Sequence, residues 1–251
     1  MSQLIDELWK NSKDSMEHAI EHFLELTYHK DNKWHHQKWI ILSVHHAAEC
    51  VVNMLLKEID PSNRIFFKKD GSDHFPSLIP SINELIKYER DGKITKTEVH
   101  LLNLLEQLNK TRNEIIHRNP PQKLDASVVS VAAMSLIGML HVIQRRRNES
   151  FYNIFNQHTE VQRDISEAVK VSMIDEYKAL IESLLKEKYP NEFFDECPYC
   201  GAVAIINSLR LPTTTCNACF EELELITCES CKEEYYTLSY CNEMIDCPFC
   251  G

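Results

Sequence analysis

The chain has 251 residues, of which 43% are hydrophobic and 26% charged, and a formal net charge of −11. That length and apolar content can bury a sizeable core, which excludes disorder as the default state and suits one medium domain with a small appendage. The acid is unevenly placed: residues 1–150 carry 20 Lys+Arg against 20 Asp+Glu, and residues 151–251 carry 7 against 18, so the C-terminal part is poorly suited to clamping nucleic acid. Met1 to Lys10 mixes Asp6, Glu7 and Lys10 with apolar residues, unlike a signal peptide, and no uninterrupted apolar run approaches the ~20 residues of a membrane span. A soluble, cytoplasmic protein is expected.

Five glycines in the whole chain, long stretches of helical apolar periodicity and few strand-like alternations before residue 200 predict a mainly α N-terminal part. Helices are expected at about 3–29, 34–59, 77–90, 95–118, 125–147 and 162–189. Asp60-Pro61 closes the second, Asp91-Gly92 separates the third from the fourth, Asn119-Pro120-Pro121 ends the fourth, and Tyr189-Pro190 ends the last. The stretch 61–76, with Lys68-Lys69-Asp70-Gly71 in it, reads as an exposed loop. From Phe193 the texture changes to short segments rich in Thr, Tyr, Val and Ile between Cys-x-x-Cys pairs, which suits small β-hairpins. The predicted organisation is a helical bundle at 1–150, a helical connector at 151–192 and a small β-rich module at 193–251.

Cysteine is split as unevenly as charge, with Cys50 alone in the first 150 residues and nine between Cys197 and Cys250. The pairs Cys197/Cys200, Cys216/Cys219, Cys228/Cys231 and Cys247/Cys250 give C-x₂-C-x₁₅-C-x₂-C twice, the spacing of a zinc ribbon. Two intervening residues let both sulfurs of a pair face one tetrahedral ion while backbone N–H groups donate to the thiolates. A glycine follows the second cysteine in Cys197-Pro-Tyr-Cys-Gly201 and Cys247-Pro-Phe-Cys-Gly251, where it relaxes the tight turn. Disulfides compete with this assignment, but a reducing compartment favours metal, so two structural Zn²⁺ ions on eight thiolates are expected, with no catalytic metal or nucleotide cofactor. The equal spacings favour sequential sets, and a nested arrangement, first pair with last, is the other option. Cys241 and Cys50 read as bystanders.

This module carries Glu221, Glu222, Glu224, Glu229, Glu233, Glu234, Glu243 and Asp246 against Arg210 and Lys232. Four thiolates around Zn²⁺ leave two further negative charges per site. The module is therefore expected to dock a protein partner.

In the helix expected at 95–118, Leu101, Leu105, Leu108 and Ile115 fall within about 40° of one line at about 100° per residue, and Arg112 falls inside that apolar stripe. An arginine placed there needs a partner, an interface or a bound anion, because an unpaired buried charge is very costly. Asn113 and His117, four apart, lie together on a flank.

The segment Arg112-Asn113-Glu114-Ile115-Ile116-His117 resembles the R-x₄₋₆-H motif of the HEPN superfamily. The setting is similar too: a helical bundle of about 150 residues, the motif late in a long helix, then a short loop and one more apolar helix. His46-Ala47-Ala48-Glu49, followed by an apolar run and Lys57, resembles the second helix of many members. The resemblance implies metal-independent cleavage of RNA, with His117 as general acid or base in attack of a ribose 2′-OH on the adjacent phosphate, giving a 2′,3′-cyclic phosphate. It implies that Arg112 neutralises the phosphoryl oxygens, that Asn113 orients His117 or contacts the backbone, and that Glu49 pairs with Arg112 at rest. A homodimer, with two motifs across one cleft, and a role as a toxin or anti-phage effector also follow from it. The alternative is a non-catalytic dimeric adaptor, with Arg112 paired in the bundle and His117 at a helix C-terminus.

Arg145-Arg146-Arg147 serves either as the ordinary basic end of a helix or as a phosphate contact. His35-His36 and His45-His46 read as structural residues ahead of a second metal site. The lack of a glycine-rich phosphate loop argues against nucleotide-hydrolysing and dinucleotide-dependent activities.

Overall fold

The computed structural model describes residues 2–28, 33–72, 74–117, 126–147, 175–206, 211–238 and 247–250. It is mainly helical, with six α-helices among the described residues, followed by small antiparallel sheets. The chain separates into two compact units, Met1–Ser172 and Met173–Gly251.

In the first unit, α2 (Lys33–Ile59) is the element around which the rest is arranged. It touches α1 (Ser2–Tyr28), α3 (Leu78–Ile86), α4 (Lys96–His117) and α5 (Ala126–Arg147). Its sequence explains that position: from Ile40 to Leu56 apolar residues appear on all sides, and a helix that is hydrophobic all round belongs in an interior. By length and composition α2 and the Val128–Arg147 part of α5 could each cross a membrane, although neither is an uninterrupted apolar run. In the fold, 78% and 67% of their apolar windows are buried, which makes them core helices.

Polar links set how the helices meet. Buried Asn53 of α2 donates through Nδ2 to the carbonyls of Glu49 (2.8 Å) and Pro76 (3.0 Å), and its Oδ1 accepts from Ser81 Oγ of α3 (2.7 Å). The loop expected to be exposed is anchored by a one-turn 3₁₀ helix, Arg64–Phe66. Phe66 is 2% exposed, with the Lys57 ammonium 4.5 Å above its ring. Gly92 takes a left-handed φ of +66°, the conformation that lets Asp91-Gly92 end one helical segment before α4.

A capping box starts α4: Thr95 N–H donates to Glu98 Oε2 (2.6 Å), and Glu98 N–H donates to Thr95 Oγ1 (3.2 Å). Glu98, nearly buried, also receives Arg146 Nε of α5 at 2.5 Å, so one carboxylate fixes the start of α4 and ties it to the end of α5. Leu101, Leu105, Leu108 and Ile115 are all buried, and the apolar stripe of α4 is where the periodicity places it. Of the arginine run, Arg146 also bonds Lys93 O (2.7 Å), Arg147 lies 3.8 Å from Glu58 and over the Trp9 ring, and Arg145 alone is exposed. Two of the three are thus ties between helices.

In the second unit, α6 (Asp175–Lys188) contacts β2 and buries Ile181 and Leu185, one turn apart. Residues 162–174, expected to be helical, lie outside the described residues. β1 (Phe194–Glu196) pairs antiparallel with β2 (Val203–Ile206), with a register shift between Asp195 and Glu196. A second sheet has the order β3 (Thr213–Thr215), β4 (Glu222–Thr227), β5 (Glu234–Leu238), with Thr213 opposite Glu224 and Thr227 opposite Glu234. In β4, Leu223 is buried between exposed Glu222 and Glu224, the alternation of a strand with one wet face.

Candidate functional site

The eight cysteines come together as two clusters, Cys197/Cys200/Cys216/Cys219 and Cys228/Cys231/Cys247/Cys250, each with its four sulfurs within 4.8 Å of one another. These are the sequential sets, not the nested ones. Cys197 Sγ lies 3.8 Å from Cys219 Sγ, and Cys200 Sγ lies 3.8 Å from Cys216 Sγ. In the second cluster Cys228–Cys250 and Cys231–Cys247 are each 3.6 Å apart. A disulfide would need about 2.05 Å. Four sulfurs at about 2.3 Å from a tetrahedral Zn²⁺ stand about 3.8 Å apart, so both clusters have the donor chemistry and spacing of a structural zinc site.

Three of the four knuckles share one construction among the described residues. Cys197 N–H donates to Ala202 O (2.8 Å) and Gly201 N–H to Cys197 O (2.8 Å). Cys216 and Phe220, then Cys228 and Lys232, repeat the pattern at 2.9–3.0 Å. The residue after each of these three pairs is left-handed: Gly201 at φ +69°, Phe220 at +62° and Lys232 at +66°. The turn that glycine eases at Gly201 forms without glycine at Phe220 and Lys232. Backbone donors reach sulfur as the spacing implied, Ala218 N–H to Cys216 Sγ and Phe249 N–H to Cys247 Sγ, both at 3.4 Å. The N–H groups of Cys231 and Ser230 pull the Cys228 thiol down to about 6. In the first cluster hydrogen bonding among the four sulfurs holds Cys197 below the ordinary thiol range.

The clusters differ in exposure. In the first, Cys197, Cys216 and Cys219 are buried; in the second, only Cys247 is buried and Cys250 is exposed. Cys50 is buried in the helical unit and its thiol is pushed up to about 11, mainly by burial, which makes it inert. Cys241 lies outside the described residues. The surface of the module is acidic where it is described, with Glu222, Glu224, Glu229, Glu233 and Glu234 exposed around the exposed Lys232. Tyr199 and Phe249, inside the outer Cys-x-x-Cys pairs, are 42% and 62% exposed.

The second candidate site lies where α4 faces α2. Arg112 is half-buried, and its Nη1 donates to Asn113 Oδ1 at 2.9 Å. Among the described residues no carboxylate forms an ion pair with it. One turn earlier Asn109 Oδ1 accepts from Nε2 of His45 on α2 (2.9 Å), and His45 Nδ1 is 3.9 Å from Glu49 Oε2. The expected Glu49–Arg112 pair is therefore replaced by Glu49 beside His45, because Glu49 lies one helical turn after His45 on the same face of α2. Burial holds His45, 4% exposed, below its ordinary range. The Asn109 bond and the Glu49 charge oppose that, and the Arg112 charge adds to it. His45 is consequently neutral near pH 7.

His117 is the last residue of α4, and its side chain lies outside the described residues, as do Arg118, Asn119 and Lys123. Sequence reasoning missed Asn109 and read His45 as a structural residue without placing it against α4. The signal was available for Asn109, which stands three residues before Arg112 on the same helix. It was not available for His45, whose approach depends on how α2 packs. No family model, curated protein or solved structure matches this chain.

Proposed function

We propose that the helical unit is a metal-independent endoribonuclease of HEPN type. The observation that carries this is Arg112: a half-buried guanidinium on the α2-facing side of α4, bonded to a neutral amide and without a carboxylate partner among the described residues. A desolvated guanidinium held by a neutral group keeps its charge for an incoming anion, and its planar fork suits phosphoryl oxygens. In this mechanism a base takes the ribose 2′-OH proton, the 2′ oxygen bonds to the adjacent phosphorus, and the bond to the 5′ oxygen breaks. The leaving oxygen takes a proton, and the products carry a 2′,3′-cyclic phosphate and a 5′-hydroxyl. His117 supplies the acid–base function, Arg112 stabilises the extra negative charge in the transition state, and Asn113 fixes the guanidinium through its Oδ1. Two chains provide a composite cleft, as in the family this segment resembles. A toxin or antiviral defence role in the reducing cytoplasm is the setting this chemistry suits.

The C-terminal module binds two structural zinc ions in this proposal and docks a basic protein partner through its acidic face. What supports the docking role is the combination of exposed glutamates with the exposed aromatics Tyr199 and Phe249.

The test is cleavage of total RNA and of defined oligonucleotides in Mg²⁺-free buffer by zinc-verified protein, beside Arg112→Ala, Arg112→Lys and His117→Ala. The expected loss is about 10²–10⁴-fold for each alanine variant, with incomplete rescue by lysine. Cleavage that survives both alanine substitutions, or no cleavage of any RNA by the parent protein, overturns the enzymatic assignment and leaves the dimeric adaptor.

A further inference from the structure

Helices α1 and α2 run antiparallel, with Ser15 Oγ against His46 Nδ1 (2.7 Å) and His22 against His36. At the His22 level four imidazoles and one indole converge. His22 Nδ1 lies 3.0 Å from His36 Nδ1, and its ring centroid lies 4.6 Å from His18, 5.2 Å from His36 and 6.0 Å from His35. The Trp39 ring lies nearly parallel to His22, at an interplanar angle of 12° and a centroid distance of 6.2 Å. His22 and His36 are half-buried, whereas His18 and His35 are exposed at the rim.

We propose that His22 and His36 anchor a site for a borderline divalent transition cation, Zn²⁺ or Ni²⁺, that clips α1 to α2 and is completed by His18 or His35 and water. Two imidazole nitrogens at about 2.1 Å from one ion, in adjacent octahedral positions, stand about 3.0 Å apart, the separation observed. An all-imidazole donor set selects Zn²⁺, Ni²⁺ or Cu²⁺ and rejects Mg²⁺ and Ca²⁺, which need oxygen. The ligands come from two helices, so binding is coupled to the helix pairing and not to one flexible segment. His22 is held below its ordinary range by burial first and then by His18, His36 and His35, with Glu21 opposing. As placed, no third donor nitrogen completes a set within 4.8 Å among the described residues. An exposed ring must rotate inward, and the site is weaker than either cysteine cluster. The facing titratable groups are His18 and Glu21 on α1 and His35 and His36 on α2, and Glu21 already contacts His18 at 3.4 Å.

The proposal is independent of the ribonuclease assignment. Untagged, zinc-loaded full-length protein is titrated with Ni²⁺ by calorimetry at pH 7.5, while released zinc is followed with a chromogenic chelator. One Ni²⁺ is expected to bind without release of zinc, with affinity reduced at least about tenfold in His22→Asn and in His36→Asn, and by a smaller factor in whichever of His18→Asn and His35→Asn removes the completing ring. Binding should also weaken at least about tenfold between pH 7.5 and 5.5, as protons compete for the imidazoles. His22→Gln and circular dichroism check that the variants fold. Ni²⁺ uptake that only displaces zinc, or that is unchanged in folded His22 and His36 variants, overturns the proposal.

Discussion

Replacing Cys216 and Cys250 by serine should have unequal consequences, although each removes one sulfur from a four-cysteine cluster. Cys216 is 0% exposed, its N–H is bonded to Glu221 O at 3.0 Å, and the following Asn217 donates twice to Ala204 O of β2, at 3.0 and 2.8 Å. The first cluster thus joins the β1–β2 hairpin to the start of β4. Structural zinc contributes about 10–16 kcal/mol through four ligands, so loss of the buried Cys216 thiolate costs about 3 kcal/mol and leaves Cys197 and Cys219 buried around a weakened site. That is a large part of the stability of a unit this small. Cys250 is exposed, and among the described residues the second cluster holds the β4–β5 turn and residues 247–250. Cys250→Ser should release one zinc and leave α6, β1 to β4 and the first ion in place. Zinc per chain after dialysis against a moderate chelator, with limited proteolysis, reads both outcomes. The expected values are one ion and a protected C-terminal unit for Cys250→Ser, and a cleaved unit for Cys216→Ser. Equal zinc loss and equal protease resistance in the two variants would refute the argument from burial.

Exposed Lys232 holds a left-handed conformation that costs an L-residue about 1–2 kcal/mol, so Lys232→Gly should stabilise the second knuckle by about 0.5–1 kcal/mol, read as a higher chelator midpoint. Phe220 has the same conformation but is 3% exposed, and Phe220→Gly should instead destabilise by about 3 kcal/mol, because lost burial outweighs relieved strain. Arg146→Met should cost about 3–5 kcal/mol at pH 7 in denaturant unfolding, since it leaves the nearly buried Glu98 carboxylate without its cation. Burial pushes Glu98 up, but Arg146 and Thr95 pull it, on balance, below the ordinary carboxylate range. The ionised form is thus favoured in the folded state, and its stabilisation is present above the unfolded value and lost as pH falls through the folded one. The gap between parent and variant should narrow below about pH 4.5, and a gap that stays constant to pH 3 would contradict the pairing.

What could be read from the sequence follows from the range over which each feature is specified. Leu101, Leu105, Leu108 and Ile115 are set by helical period alone, and the two cysteine sets by spacing within one short segment, so both were legible. The capping box Thr95-Lys-Thr-Glu98 is equally local and was readable, although the helix boundary was drawn from Asp91-Gly92 instead. Phe66 gave a weaker sign, because Ile65, Phe67 and Phe75 share its loop and its burial depends on how the loop returns to Lys57 and α2. The meeting of His22 with His36, and of His45 with Asn109, is set by helix pairing over 14 and 64 residues and leaves no periodic trace in the chain. The same holds for Glu49. Its place one turn after His45 was plain, but whether it faced Arg112 or the histidine depended on how α2 is rotated against α4.

The arginines of the helical unit sharpen the choice of anion site. Arg146 is neutralised by Glu98, and Arg147 lies 3.8 Å from Glu58, whose own carboxyl burial pushes upward while both arginines pull it back. These two cations are used in joining helices, and an RNA phosphate would have to displace a carboxylate to reach them. Arg112 differs in its partner. Asn113 offers a carbonyl oxygen that accepts from the guanidinium without cancelling its charge, and the neighbouring His45 is kept neutral by burial. An amide positions a cation at little electrostatic cost to an incoming anion, whereas a carboxylate must be outcompeted. Of these three arginines, Arg112 is the one held by a neutral partner, which is why the proposed chemistry is assigned to the end of α4 and not to the basic run that closes α5.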